Sequence, residues 1–206
     1  MNHLNYESNP CTDKLSDIEY LEHMIPHHQV AIDMSQLLTH KSHNPAMIYI
    51  CRDITRKQSY EIVEMTVMKN QLSDNMFGNK ISDPNSNDKL MASNVSNMSG
   101  SINALDMYYP VMSKSKDGNC NPLFFKPNDH NKMMKHMKIT DKSYLEHMIP
   151  HHQVAIDMSK RLLLHTNHSY LMVFCKKLII DQQYEIYLMN NLLTNKYNYK
   201  SDLFKN

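Results

Sequence analysis

The sequence predicts an all-α fold: a four-helix bundle built from two repeated helical hairpins with a long irregular crossover. Three observations lead there. Sixteen residues, Tyr20–Ser35, recur without change as Tyr144–Ser159. Around both copies, apolar residues recur at helical spacing. Three glycines and no tryptophan in 206 residues leave too few tight-turn positions for an all-β chain.

Residues 1–15 read as a polar arm. Ser16 followed by Glu19 has the pattern of a capping box and marks the first helix start. From Ile18 to about His40 the side chains sort into three stripes. Ile18, Leu21, Ile25 and Ile32 form an aliphatic stripe. Tyr20, His23, Met24, His27, Ala31, Met34 and Leu38 form a His/Met stripe beside it. Glu19, Glu22, Gln29, Asp33 and Gln36 fill the remaining arc, which is expected to face water. Pro26 removes one helical hydrogen bond at a cost of about 3 kcal/mol, yet the stripes keep phase across it. A continuous helix kinked near Glu22 is therefore expected, with Pro150 acting alike in the second copy.

Asn44 and Pro45 read as the cap and first turn of a second helix running to about Leu72. Met47, Cys51, Ile54, Gln58, Glu61, Ile62, Met65 and Met68 share one of its faces. The short connection Thr39–Asn44 makes residues 16–72 an antiparallel hairpin. The crossover, 73–139, is rich in Asn, Ser, Asp and Lys. It holds a candidate short helix at Asp88–Met98, an aromatic-pinned segment at Cys120–Lys126, and a His/Met tract, His130–Met137, that reads equally as solvated loop or accessory site. The second hairpin, 140–195, follows the first at a constant offset of 124 without gaps. A polar tail, 196–206, closes the chain. Each hairpin has a buried stripe per helix that it covers by docking on the other hairpin.

Composition narrows the function. A net charge near +1 gives no basic field for nucleic acid and no polybasic membrane patch. No apolar run is long enough to span a bilayer, and Met1–Asp17 lacks the apolar core of a secretory signal, so a soluble chain is expected. The four cysteines form no Cys-x-x-Cys pair. Eighteen methionines and thirteen histidines, concentrated on the repeated stripe, point instead to metal. Thioethers and neutral imidazoles together suit Cu(I), and by extension Ag(I), whereas oxygen cages for calcium or magnesium are absent. On the helix, His23 and His27 lie one turn apart and Met24 neighbours both His27 and His28. The second helix can bring up Met65, with Gln58 and Glu61 beside it to hold the other ring nitrogen of a ligating histidine. Against this stands packing, since methionines at helical spacing often fill cores. Three imidazoles within six residues are harder to bury as satisfied core groups.

The segment Met-Ile-Pro-His-His-Gln-Val-Ala-Ile-Asp-Met, followed by Gln-x-x-Glu-Ile-x-x-Met at Gln58–Met65 and again at Gln182–Met189, resembles domain-of-unknown-function family 305. The resemblance covers both hairpins. It implies a ferritin-like four-helix bundle and, as in some members, copper binding. It carries over Met24, His27, His28, Met34 and Met65 as candidate copper ligands, with Met148, His151, His152, Met158 and Met189 as counterparts. His23 and His147 join them on geometry, and Gln58, Glu61, Gln182 and Glu185 are the supporting polar groups.

The expected function is non-enzymatic buffering or sequestration of copper, with Cu(I) favoured and a metal ion as the partner; self-association into a homo-oligomer is left open. One alternative is a structural or interaction bundle without metal. The other, a metal-dependent oxidoreductase, is disfavoured because the di-iron Glu-x-x-His motif fails: Ile25 stands three after Glu22, Glu64 three after Glu61, and Leu188 replaces Glu64 in the second half.

Overall fold

The computed structural model describes residues 9–76, 120–136 and 138–197. Among these residues the regular structure is five α-helices and one 3₁₀ turn: α1 (Asp17–Thr39), α2 (Pro45–Met76), the turn Pro122–Phe125, α3 (Pro127–His136), α4 (Asp141–Leu163) and α5 (Ser169–Tyr197). Among the described residues there is no strand, and no helix is long and apolar enough to cross a membrane. The candidate helix Asp88–Met98 lies outside the described residues.

Helix α1 begins where the sequence places it. The Ser16 hydroxyl accepts from the Glu19 amide and the Glu19 carboxylate accepts from the Ser16 amide, so both halves of the capping box are present. Thr140 and Ser143 perform the same exchange at the start of α4. Both helices run on through their internal prolines. At α2 the Asn44 side chain accepts from the Ala46 amide, and the helix extends one turn beyond the expected end at Leu72. Met47, Cys51, Ile54, Gln58, Glu61, Met65 and Met68 are buried as a single face, with Ile62 half-buried at its margin.

α1 packs along α2 and α4 along α5, giving the two hairpins. Their mutual arrangement follows from two buried hydrogen bonds. Tyr20 meets Ser159 at 2.7 Å and Ser35 meets Tyr144 at 2.7 Å, so α1 and α4 run antiparallel about a pseudo-twofold axis. The Ser159 hydroxyl donates to the Ala155 carbonyl, which leaves its oxygen to accept from Tyr20. Each such bond contributes about 1 kcal/mol net. Its larger effect is on register, because sliding the hairpins would strand four buried hydroxyls.

The two identical sixteen-residue segments do not have identical surroundings. Gln29 and Asp33 are half-buried, whereas their counterparts Gln153 and Asp157 are buried, 1% and 7% exposed. The Gln and Asp positions of the arc expected to face water are thus covered in the second copy and partly covered in the first, while Glu22, Gln36 and Glu146 do face water. Over α1 the cover is α3, whose Asn131 amide donates to Asp33. Near the end of α4 it is the segment from Asn9 onward. Arg161 donates to the Pro10 carbonyl at 2.6 Å, His165 to the Leu15 carbonyl at 2.7 Å, and Leu15 is buried. A disulfide between Cys11 and Cys120, 109 positions apart, ties this segment to the strand of crossover that enters the 3₁₀ turn. Residues 9–15, read from sequence as polar arm, therefore anchor the crossover to the bundle.

Candidate metal centre

Adjacent histidines on a helix diverge by about 100°, and the bundle uses that divergence. His27 and His151 point toward the crossover; His28 and His152 point toward α2 and α5. All four are fully buried.

On the inner side, His28 Nε2 lies 2.9 Å from Glu61 Oε2 and His152 Nε2 lies 2.8 Å from Glu185 Oε2. His152 Nδ1 also meets the Met148 carbonyl at 3.0 Å, whereas His28 Nδ1 is buried without a hydrogen-bond partner. Each glutamate is shared across the repeats. Lys177 of α5 donates to Glu61, and Lys57 of α2 donates to Glu185. The lysines reach these positions through a swapped pair at the repeat offset. Asp53 and Lys57 in α2 correspond to Lys177 and Asp181 in α5, and each lysine is also paired with its own helix's aspartate. Burial pushes the Glu61 carboxyl up, but the hydrogen bond and charge of His28 and the charge of Lys177 outweigh it and leave Glu61 below the ordinary carboxylate value. Burial likewise lowers Lys57, and Asp53 and Glu185 more than reverse that. Gln58 and Gln182 are buried close by in sequence, and neither amide makes a hydrogen bond among the described residues.

On the outer side, His27 and His151 stack on the pseudo-twofold axis with ring centroids 3.6 Å apart and planes 28° from parallel. Phe124 caps them edge-on, 4.9 Å from His151 and 5.0 Å from His147. Phe125 lies 5.2 Å from His27 and 6.0 Å from His23. His130 of α3 completes the cluster, 5.1 Å from His147. Neither ring nitrogen of His27, His130 or His151 makes a well-formed hydrogen bond, and His147 Nε2 has no partner. Burial holds His27 and His151 well below the usual imidazole pKa, reinforced by neighbouring imidazoles. It takes His147 down to about 4 and lowers His130. These rings are neutral near pH 7, and a neutral imidazole carries a free lone pair.

The predicted sulfurs are all interior. Met24, Met65, Met148 and Met189 are fully buried, and Met34 and Met158 are 3% and 1% exposed, all within one apolar cluster. Among the described residues no three His, Cys, Asp or Glu side chains are arranged to hold a metal ion. The physical reason is visible in the rings. Lone pairs lie in the ring plane, so stacked His27 and His151 hold theirs in separate, near-parallel planes, and the inner pair already uses Nε2 on glutamate. Cys51 and Cys175 are buried thiols beside Tyr144 and Tyr20, pushed up to about 11 and about 12, chiefly by burial.

Sequence reasoning named both halves of the inner pairs but missed the lysine braces, and it marked the Cys120–Lys126 aromatics and the His130 tract without bringing them to this cluster. The swapped Asp53/Lys57 and Lys177/Asp181 pairs were a legible signal, since a charge exchange at the repeat offset keeps one lysine per glutamate. His130 lay in the His/Met tract, but nothing in sequence fixed where the crossover returns.

Comparisons with known proteins agree with this architecture. The family model described as Domain of unknown function (DUF305) matches residues 17–193. Uncharacterized protein L153 of Acanthamoeba polyphaga mimivirus is 46% identical over 55 residues, 27% of this chain and 36% of that protein's length. The match thus spans about a third of that relative. Among solved structures, CopM in the Ag-bound form obtained by soaking is 24% identical with a TM-score of 0.58, covering 90% of this chain and 99% of that one. CopM in the Cu(II)-bound form is 23% identical, TM-score 0.58, over 90% and 100% of the two chains. CopM in the Cu(I)-bound form is 22% identical, TM-score 0.55, over 89% and 99%. At these identities the likeness is one of fold.

Proposed function

Since the chain belongs to the DUF305 family, whose model spans most of its length, we propose that it binds copper without catalysing a reaction, buffering or sequestering the ion through histidine and methionine side chains. The observation that carries this reading is the set of buried imidazoles, neutral near pH 7, whose ring nitrogens make no well-formed hydrogen bond among the described residues. Such groups are costly in a fold that needs them merely for packing. Solved relatives of the same fold that carry Cu(I), Cu(II) and Ag add support.

The donor set fits a soft ion. Imidazole and thioether favour Cu(I) over harder cations, and six of the candidate donors are methionines. The ligands proposed are His23, Met24, His27, His28, Met34 and Met65 in hairpin 16–72, with His147, Met148, His151, His152, Met158 and Met189 in hairpin 140–195. Glu61 and Glu185, on the Nε2 atoms of His28 and His152, orient those rings. Gln58 and Gln182 stand in reserve as hydrogen-bond partners for a reoriented ring. Copper bound here is cargo, and its soft-acid affinity for sulfur and nitrogen supplies the retention. A non-enzymatic role is supported by the thiols, which burial keeps protonated, and by glutamates committed to histidine and lysine.

A second reading, a packing bundle that uses no metal, is favoured by one observation: the stacked, phenylalanine-capped His27/His151 pair behaves as an aromatic contact. Anaerobic Cu(I) titration against a competing chelator separates the two. Copper binding expects affinity tighter than micromolar that falls at least tenfold in His27→Ala plus His151→Ala. Weaker binding, or binding indifferent to both substitutions, selects the packing role.

A further inference from the structure

The pseudo-twofold repeat presents each hairpin with the same ligand candidates, but the crossover treats them differently. His23 and His147 are counterparts. His23 faces Phe125, at 6.0 Å between ring centroids. His147 faces His130, at 5.1 Å with planes 55° apart. One partner ring offers no donor atom; the other offers two nitrogens.

We propose that His130 of α3 pairs with His147 of α4 in a two-imidazole site for a soft monovalent ion, present on the second repeat and not on the first. The proposal rests on the copper-binding reading and extends it to a residue that neither repeated motif contains.

Three observations carry it. His130 is fully buried, and neither of its ring nitrogens has a hydrogen-bond partner. Helix α3 is ten residues long and mostly polar, with exposed neighbours at Asn128, Asp129 and Lys132, so an imidazole would have been simple to leave in water. His147 Nε2 is also buried and unpartnered, so the nearest ring lacks a partner too. The spacing is suitable as well. Metal–imidazole bonds of about 2.0–2.1 Å put the centroids of two rings sharing one ion roughly 5 Å apart in a bent arrangement and roughly 6.4 Å in a linear one, so this pair matches the bent arrangement, whereas the 3.6 Å stack of His27 on His151 matches neither. With two imidazoles at a bent angle the site favours d¹⁰ monovalent ions, which accept two or three ligands, over zinc, whose structural sites want four.

The test uses the full chain, metal-free and anaerobic, labelled with ¹⁵N-histidine and titrated with Ag(I), then with Cu(I) against a chelator. The expected result is joint movement of the His130 and His147 ring-nitrogen signals within the same equivalent of metal. His130→Phe, which keeps the ring volume, is expected to lose one bound equivalent while the others retain their affinity. If the unsubstituted protein takes up neither ion, the functional reading fails and this site with it. If it takes up metal but the His130 signals stay still, the site alone is overturned and copper binding stands. Equal stoichiometry in His130→Phe overturns it in the same way. Should that variant fail to fold, the ring shifts of the unsubstituted chain still decide the matter.

Discussion

Lowering the pH of the metal-free protein from 7 to 5 is expected to cost it several kcal/mol of stability, about 6 at most. His27 and His151 are held neutral by burial, and His147 titrates near 4. In the unfolded chain each regains a pKa near 6.5. The sign follows from proton counts: above pH 6.5 neither state is protonated, while below it the unfolded chain binds protons that the folded core refuses. At pH 5 each such histidine costs up to about 2 kcal/mol. Three together cost up to roughly 6 kcal/mol, against the 5–15 kcal/mol of a whole domain. His130 acts in the same direction. Glu61 enters later, because its folded pKa lies below the ordinary 4.5; its stabilisation is present above that value and is lost as pH falls through the folded pKa. Urea unfolding followed by circular dichroism, with chelator present, at half-unit steps from pH 7.5 to 5 measures the effect. The slope is expected to approach about 4 kcal/mol per pH unit at the acid end. A change under about 1 kcal/mol over the whole range would refute the claim that these rings are held neutral in a closed core.

Three further outcomes follow from the fold. Reducing Cys11–Cys120, or replacing both with serine, releases a closed loop of sequence separation 109; the chain-entropy model puts the loss near 5 kcal/mol, readable as a lower urea midpoint. Tyr144→Phe leaves Ser35 without its 2.7 Å partner and is expected to cost about 1–2 kcal/mol, whereas Tyr144→Phe with Ser35→Ala costs less than the sum of the single substitutions. An aromatic disulfide reagent is expected to find no reactive thiol in the native protein and two in denaturant, since Cys51 and Cys175 are buried and titrate near 11 and 12; rapid labelling of either under native conditions would contradict the packing around Tyr144 and Tyr20.

Much of this molecule was determined by local pattern. Ser16 with Glu19, Asn44 before Pro45, and the face running from Met47 to Met68 are written in residues a few positions apart, where capping geometry and the helical period decide the outcome. The repeat itself carried the two-hairpin plan, and Glu61 on His28 follows from the antiparallel pairing of α1 and α2. The environment of the ligand candidates was not local. Tyr20–Ser35 and Tyr144–Ser159 are the same sixteen residues, yet Gln153 and Asp157 are buried where Gln29 and Asp33 are half-buried. Likewise His147 meets an imidazole where His23 meets a phenyl ring. Identical sequences can differ only through what is laid against them. Here those are the return of the crossover, against α1 and His147, and the segment around Cys11, against the end of α4 and joined to the crossover by a disulfide: contacts between residues far apart in the chain, which no periodicity within either copy encodes.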